Sequence, residues 1–177
     1  GGDASIQKPY RIALAYLINL GIPLSEFIHA VSYCSEMEKS VINKQITNKI
    51  NMVYTSSLGR LFDAVASLIG VCHEITYEGQ AAIELENIVE QTCGEVYEIS
   101  YVEPMIPLKD FFLQIISDLS KNIPNSIISA KFHNTVAQIS LDICKMIRSE
   151  SNVQEIALSG GVWQNKYLFE KTRDLLD

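Results

Sequence analysis

The amino-acid sequence predicts a mainly α-helical domain that also contains a small mixed sheet, an α/β class of fold. Apolar residues recur at i, i+3, i+4 and i+7 in segment after segment, which is helical spacing. Two short segments instead predict strands: residues 96–101, where apolar and polar side chains alternate, and the apolar residues 156–158. Because two strands cannot bury their own faces, the sheet would need further strands from outside this sequence.

The helices are predicted in order from their end signals. Pro9 is placed to begin the first helix and Gly21 to end it. A short helix is predicted over residues 24–31, and Ser35 with Glu38 forms a capping box at the start of the next, which extends to about residue 50. Further helices are predicted over residues 58–69, 81–92, 107–119 and 126–148, with a last helix after residue 162.

The composition favours a folded domain and excludes several functions. Of the 177 residues, 47% are hydrophobic and 20% are charged, which is typical of a packed core. A net charge of −7 argues against nonspecific nucleic-acid binding. With no membrane-length apolar run and no signal peptide, we expect a cytoplasmic protein with no membrane partner. The sequence lacks an initiator methionine, so we expect residues 1–177 to be a single unit cut from a longer protein.

The cysteines and histidines do not predict a metal site. The four cysteines are far apart in sequence and form no CxxC pair, and the three histidines do not cluster with them. We therefore expect free thiols in a reducing compartment.

Residues 156–165 are the most informative segment. An apolar stretch leads into Ser159, Gly160 and Gly161 and then into a helix. Glycines let a ligand approach the backbone, and the free amides of a helix N-terminus attract phosphate. Asn165 would lie one turn into that helix, within reach of a ribose or a base edge. The alternative is a plain strand–loop–helix connection, which spacing alone favours because short glycine pairs are common.

Residues 55–64 provide a second candidate. Arg60, Asp63 and Ser67 fall on the helix face opposite the apolar stripe. They predict either an exposed i, i+3 ion pair or a carboxylate at the lip of a cleft, which would accept hydrogen bonds from ribose hydroxyls. Spacing alone favours the exposed pair.

Two further positions are weaker candidates. Gly79 and Gln80 lie in a loop before a helix, where the glycine permits close approach of a ligand; the alternative is a capped helix start. His133 flanks an apolar stripe, and a structural hydrogen bond is favoured there over a ligand or a base. No nucleophile–base pair can be identified, so the catalytic residues stay unknown.

Five segments together resemble the C-terminal, TsaD-like domain of the HypF carbamoyltransferases. In the first segment the matching residues are 1–4, 9 and 11–15. The other four segments are residues 55–66, 77–86, 132–133 and 158–165. The resemblance implies a fragment of the second lobe of that domain. It further implies part of an actin/hexokinase-like (ribonuclease H-like) nucleotide-binding lobe with a helical insertion.

The resemblance also implies a chemistry. The intact enzymes are expected to use carbamoyl phosphate and ATP, through carbamoyl-adenylate, to carbamoylate the C-terminal cysteine of HypE. The carbamoyl group becomes a cyanide ligand during maturation of nickel–iron hydrogenases. The alternative, which helix content alone allows, is a non-enzymatic helical interaction module.

Carried over residue by residue, the resemblance implies that this fragment forms one wall of the nucleotide cleft. The implied nucleotide contacts are Asp63, Gly79, Gln80, Gly160, Gly161 and Asn165, with Ser57, Gly59, Arg60, His133 and Ser159 as possible supporting residues. Gln80 replaces a second glycine of the TsaD-type enzymes. A metal ion is expected in the intact protein, but its ligands are expected outside this sequence. We therefore expect no metal site and no carbamoyl transfer by the fragment alone, and self-association through its bare apolar surface.

Overall fold

The fold is a set of packed α-helices. The computed structural model describes residues 6–100, 106–151 and 153–177. Its helices are α1 (Pro9–Asn19), α2 (His29–Tyr33), α3 (Glu36–Thr47), α4 (Leu58–Leu68), α5 (Gln80–Asn87), α6 (Leu108–Ser120), α7 (Asn125–Glu150), a short 3-10 helix (Gly161–Gln164) and α8 (Lys166–Leu176).

The end signals in the sequence place α1 and α3 correctly, whereas the helix predicted over residues 24–31 is wrong in its bounds, because α2 begins only at His29 and ends at Tyr33. Pro9 occupies the first turn of α1, and Gly21 beyond its end has a φ of 65°, in the left-handed region that favours glycine. Ser35 caps α3, because its Oγ accepts a hydrogen bond from the Glu38 amide at 3.3 Å. The Glu38 carboxylate also accepts a 2.7 Å hydrogen bond from the Tyr10 hydroxyl, which ties α3 to α1.

Helix α4 lies at the centre of the fold. It packs against α1, α2 and α5 and also contacts the 3-10 helix, so every residue from position 61 to 68 is buried. Phe62 on α4 meets Phe132 on α7 edge to face, with ring centroids 4.7 Å apart. Phe111 on α6 stacks on the same Phe132 ring at 5.7 Å. These aromatic contacts join α4, α6 and α7 into one core.

The predicted sheet is wrong, because no residue that the structure describes is in a strand. Residues 156–158 have no strand partner, and Ile156 is half exposed. Residues 96–100 do alternate in burial, with Tyr97 enclosed and Val96 exposed, whereas Tyr101 lies outside the described residues. The alternation therefore arises because one side of the segment is covered by protein, and it does not reflect pairing with another strand. A nucleotide-binding lobe that contains a sheet is not present in the described residues.

Helix side chains take the place of a strand partner along this segment. The Tyr97 amide donates to Thr135 Oγ1 on α7 at 2.8 Å, and the Glu98 amide donates to Gln114 Oε1 on α6 at 3.0 Å. Gln114 Nε2 returns a 2.7 Å hydrogen bond to the Glu98 carbonyl. The Asn134 amide donates to the carbonyls of Cys93 and Glu95. These bonds satisfy an extended backbone without a sheet.

The helix predicted over residues 81–92 is too long, because α5 ends at Asn87. The next residues turn toward α7, where the Glu90 amide donates to the Ser126 carbonyl at 3.1 Å. Packing against α7 therefore stops the helix before Gly94 is reached.

The surface of the described residues carries several large apolar side chains. Met37, Val53 and Tyr54 are each more than 70% exposed. They lie on α3 and on the segment that follows it, and the self-association expected from the sequence stays a prediction. Within the described ranges, no helix combines the length and the apolarity that crossing a bilayer requires.

Gly70, just after α4, should tolerate alanine less well than Gly21. Both have positive φ, so an L side chain strains the backbone at either position by about 1–2 kcal/mol. A Cβ at Gly70 would also lie 2.7 Å from His29 Cγ, whereas one at Gly21 meets nothing within 4 Å. We expect Gly70→Ala to lower the free energy of unfolding by at least about 1 kcal/mol more than Gly21→Ala, as measured by urea titration of helical circular dichroism. Equal losses would contradict this packing of α2.

Candidate functional site

The polar face of α4 is buried, which corrects the exposed ion pair that spacing alone favoured. Asp63 is 1% exposed and Ser67 is fully buried. The reason is that α4 has neighbours on several sides, so its polar stripe faces protein and not solvent. Ser57 lies exposed before the first turn of α4, and Gly59 lies in that turn, where an added Cβ would meet only Ser57 Oγ at 3.6 Å.

Asp63 and Arg60 form a close but poorly bonded pair. Arg60 Nη1 lies 3.0 Å from Asp63 Oδ2, yet neither buried atom makes a well-aligned hydrogen bond to a described residue. Burial raises the pKa of Asp63 to about 6, although the Arg60 guanidinium opposes the shift. A buried carboxylate with unused hydrogen-bonding capacity is uncommon and marks a candidate ligand contact.

His133 and Asn165 form the second polar contact. His133 lies on α7 with its side chain fully buried, and its Nε2 is 2.9 Å from Asn165 Nδ2. Its Nδ1 lies 2.8 Å from the Ser129 carbonyl oxygen, one turn earlier on α7. Burial lowers the pKa of His133 to about 4, against the opposing effect of the Ser129 hydrogen bond. The imidazole is therefore neutral at physiological pH.

Asn165 does not lie one turn into the last helix, as the sequence suggested, but caps it. The 3-10 helix Gly161–Gln164 intervenes, and Asn165 Oδ1 then accepts from the Leu168 amide at 2.8 Å. The Tyr167 amide is bonded to the Glu86 side chain at 3.1 Å. Two amides of the first turn of α8 are thus already used within the protein, which leaves the turn at residues 160–162 as the backbone that could meet an anion.

That turn is open. Gly160 and Gly161 are exposed, as is Ser159 before them, and an added Cβ on either glycine would meet nothing within 4 Å. Gly160 has a φ of 95°, which disfavours any other residue there. Val162 and Trp163 in the 3-10 helix pack partly against the core. The turn is therefore anchored on one side and accessible on the other.

Gly79 and Gln80 begin α5. Gly79, with a φ of 82°, takes the N-cap position, and an added Cβ there would meet nothing within 4 Å. Gln80 Oε1 accepts from the Thr76 amide at 2.7 Å, and its Nε2 donates to Glu84 at 2.7 Å. In this conformation the Gln80 carboxamide holds its own turn closed.

The structure brings His133 and Asn165 into contact at the junction of α4, α7 and α8, and Asp63 is linked to this junction only through its neighbour Phe62. Phe62, the neighbour of Asp63, meets the His133 ring edge to face at 5.2 Å, and His133 bonds Asn165. Gln80 is connected to Asp63 less directly, through its partner Glu84. The pKa of the Cys72 thiol is raised to about 12, mainly by burial and then by the nearby carboxylates of Glu84 and Asp63.

The sequence missed Cys72, in the segment between α4 and α5, and Glu84, on α5. The i, i+4 spacing of Gln80 and Glu84 was the available signal for the second of them. By contrast, Ser57 and Ser159 are exposed and take no part in these contacts.

Arg60 also borders a cavity of about 500 Å³ between α1, α3 and the segment before α4. Most of its lining is apolar, and Arg11 and Tyr16 lie in it with Arg60. Of the nucleotide contacts implied by the resemblance, none lines this cavity. Among residues 6–100, 106–151 and 153–177, no three His, Cys, Asp or Glu side chains are grouped so that they could hold a metal ion.

The fold is that of a carbamoyltransferase subdomain, as comparison with known proteins shows. The family described as "Carbamoyltransferase, Kae1-like Domain, second subdomain" matches residues 1–177. The chain is 29% identical to the probable carbamoyltransferase HypF of Methanocaldococcus jannaschii, over 97% of this chain and 23% of that protein. It is 30% identical to carbamoyltransferase HypF of Synechocystis, over 97% of this chain and 24% of that protein.

Two solved structures agree. A crystal structure of full-length HypF in the phosphate- and nucleotide-bound form matches with a TM-score of 0.91 and 39% identity, over 99% of this chain and 23% of that one. HypF of T. kodakarensis matches with a TM-score of 0.81 at 24% identity, which shows the fold alone. The chain belongs to the HypF carbamoyltransferase family and matches the second subdomain of its Kae1-like domain. It spans about a quarter of the length of these relatives.

Asp63 and His133 should give opposite pH dependences of stability. The pKa of Asp63 is raised from 3.8 to about 6, so its contribution is lost as pH rises through that window. The pKa of His133 is lowered from 6.5 to about 4, so its contribution is lost as pH falls through that window. Each loss amounts to about 3 kcal/mol at most, and in the wild type the two largely cancel.

Asp63→Asn should therefore lose stability on acidification from pH 6.5 to 4, and His133→Gln should lose it on the opposite change, each relative to wild type. Urea titrations at several pH values give the free energies of unfolding. Parallel profiles for the two variants would contradict these burial effects.

Proposed function

We propose that this chain forms one wall of a nucleotide site in a HypF carbamoyltransferase. The observation that carries the proposal is the buried pair of Arg60 and Asp63, whose facing atoms lack hydrogen-bond partners among the described residues. Asp63 would accept hydrogen bonds from the ribose hydroxyls, and Arg60 would hold its charge in place. Calorimetric titration of the full-length protein with a nucleotide, described below, tests this proposal.

The other contacts follow from the junction. The amides at Gly160 and Gly161 would approach phosphate oxygens, because nothing in the described chain covers them. Asn165 would donate to the nucleotide through its amide. Gly79 would let a ligand approach the start of α5, whereas Gln80 would have to exchange its bond to Thr76 or Glu84 for a ligand contact. The nucleotide-bound form of a HypF at 39% identity supports a nucleotide as the ligand.

In the whole protein, we propose that this site handles ATP and carbamoyl-adenylate. Carbamoyl phosphate would supply the carbamoyl group, and the C-terminal cysteine of HypE would receive it during maturation of nickel–iron hydrogenases. Asp63 and Asn165 would orient the adenosine part so that the acyl carbon is held in one position for thiolate attack. The described residues do not fit a metal ion, so no step is assigned to one. Family membership favours this function over a helical interaction module.

Substitution of Asn165 should weaken nucleotide binding by the full-length protein. Asn165→Ala removes both the donor and the cap of α8, whereas Asn165→Asp keeps a good cap and replaces the donor with a carboxylate oxygen. We expect either change to weaken binding of a non-hydrolysable ATP analogue about tenfold or more, as measured by isothermal titration calorimetry. Asn43→Ala, at an exposed position on α3, is the control and should bind as wild type does. Wild-type affinity in Asn165→Asp would argue against a ligand contact.

Carbamoyl transfer should require more than these 177 residues. The chain corresponds to about a quarter of the length of its relatives. With carbamoyl phosphate, ATP and HypE, we expect the full-length protein to give a thiocarboxamide at the C-terminal cysteine and the 177-residue chain to give none. Mass spectrometry of HypE distinguishes the two. Product formed by the short chain at the full-length rate would refute this.

A further inference from the structure

The His133 ring has a single possible arrangement of protons. The Ser129 carbonyl oxygen, 2.8 Å from Nδ1, can only accept a hydrogen bond, so Nδ1 carries the proton. The ring is fully buried and no described carboxylate bonds it, which favours the neutral form. Nε2 is then an unprotonated acceptor, and it faces Asn165 Nδ2 at 2.9 Å.

The Asn165 carboxamide is fixed from its other end by an independent contact. The Leu168 amide can only donate, so the Asn165 atom that faces it at 2.8 Å must be Oδ1. Turning the carboxamide over would place two donors together at Leu168 and leave the Asn165 oxygen against the lone pair of His133 Nε2. Both ends therefore select the same orientation.

We propose that His133 is a positioning residue: it fixes the Asn165 carboxamide so that the second N–H of Nδ2 is the group offered to the nucleotide. His133 cannot touch the ligand itself, because its side chain is fully enclosed, whereas Asn165 keeps 8% of its surface exposed. The ligand atom that meets Asn165 is consequently an acceptor, such as a ribose hydroxyl oxygen, a purine ring nitrogen or a phosphate oxygen. This inference rests on the proposed nucleotide site.

A matched pair of substitutions separates positioning from packing. In His133→Gln, the terminal oxygen can occupy the place of Nε2 and still accept from Asn165. In His133→Asn, the shorter amide can occupy the place of Nδ1 and still donate to the Ser129 carbonyl, but Asn165 loses its acceptor. Both variants remove the same ring from the same packing site, and Asn leaves a space one methylene larger than Gln does, so a merely structural role predicts losses of affinity that follow the thermal stabilities of the two variants.

Calorimetric titration of the full-length variants with a non-hydrolysable ATP analogue tests the proposal. We expect His133→Asn to bind about tenfold more weakly than wild type, the effect of one lost buried hydrogen bond. His133→Gln should stay within about threefold of wild type. Thermal unfolding of both variants supplies the structural comparison. Equal weakening in the two variants, or wild-type affinity in His133→Asn while Asn165→Asp is weakened, would overturn the positioning role and leave the proposed function standing.

Nitrogen NMR of the histidine ring supplies a readout that needs no ligand. We expect His133 to show a protonated Nδ1 and an unprotonated Nε2 at neutral pH. In Asn165→Asp, the carboxylate facing Nε2 should favour protonation of that nitrogen and raise the His133 pKa. If wild type does not bind the analogue, the proposed function fails, and the ring spectrum still decides the positioning: a proton on Nε2 in wild type overturns it.

Discussion

The enclosure of α4 is the constraint on which the rest of the structure depends. A helix that has α1, α2 and α5 around it must bury its polar stripe with its apolar one. Asp63 and Ser67 are consequently removed from water, and Ser67 compensates by bonding His73 at 2.8 Å. Asp63 has only the imperfectly aligned Arg60. Leaving a buried carboxylate this poorly bonded is energetically costly, which makes Asp63 a candidate for a ligand contact.

The polar side chains near the junction of α4, α7 and α8 differ in how many of their hydrogen bonds are made within the protein. Asp63 has hydrogen-bonding capacity to spare, whereas His133 has none, because both ring nitrogens are committed inside the protein. Asn165 is fixed at both ends: its Oδ1 caps α8, and its Nδ2 is held by His133. In the proposed site, this support from a buried neighbour would keep the Asn165 carboxamide in one rotamer and lower the entropy lost on binding.

Local signals in the sequence predicted much of the helical framework. The features that they did not predict depend on contacts between residues far apart in the sequence. Pro9, Gly21 and Ser35 act within one turn of their own backbone, so their effect can be read without the fold. Apolar and polar residues alternate around Tyr97 because one side of the segment is covered by protein. The local sequence does not show whether helices or strands provide that cover. The burial of Asp63 likewise depends on distant helices. The family resemblance identified Asp63 and Asn165 as candidates, but the bond from His133 to Asn165 joins residues far apart in sequence.

The extended segment after Gly94 has a consequence for local opening. In a sheet, adjacent ladder bonds protect one another, but the amides of Tyr97 and Glu98 depend separately on the rotamers of Thr135 and Gln114. Buried Thr135 is constrained on α7, whereas the Glu98–Gln114 contact lies at the surface. Solvent exchange at Glu98 therefore needs only a side-chain rotation, while exchange at Tyr97 requires the core beneath it to separate. Two adjacent peptide groups in one irregular strip thus belong to different cooperative units of the protein.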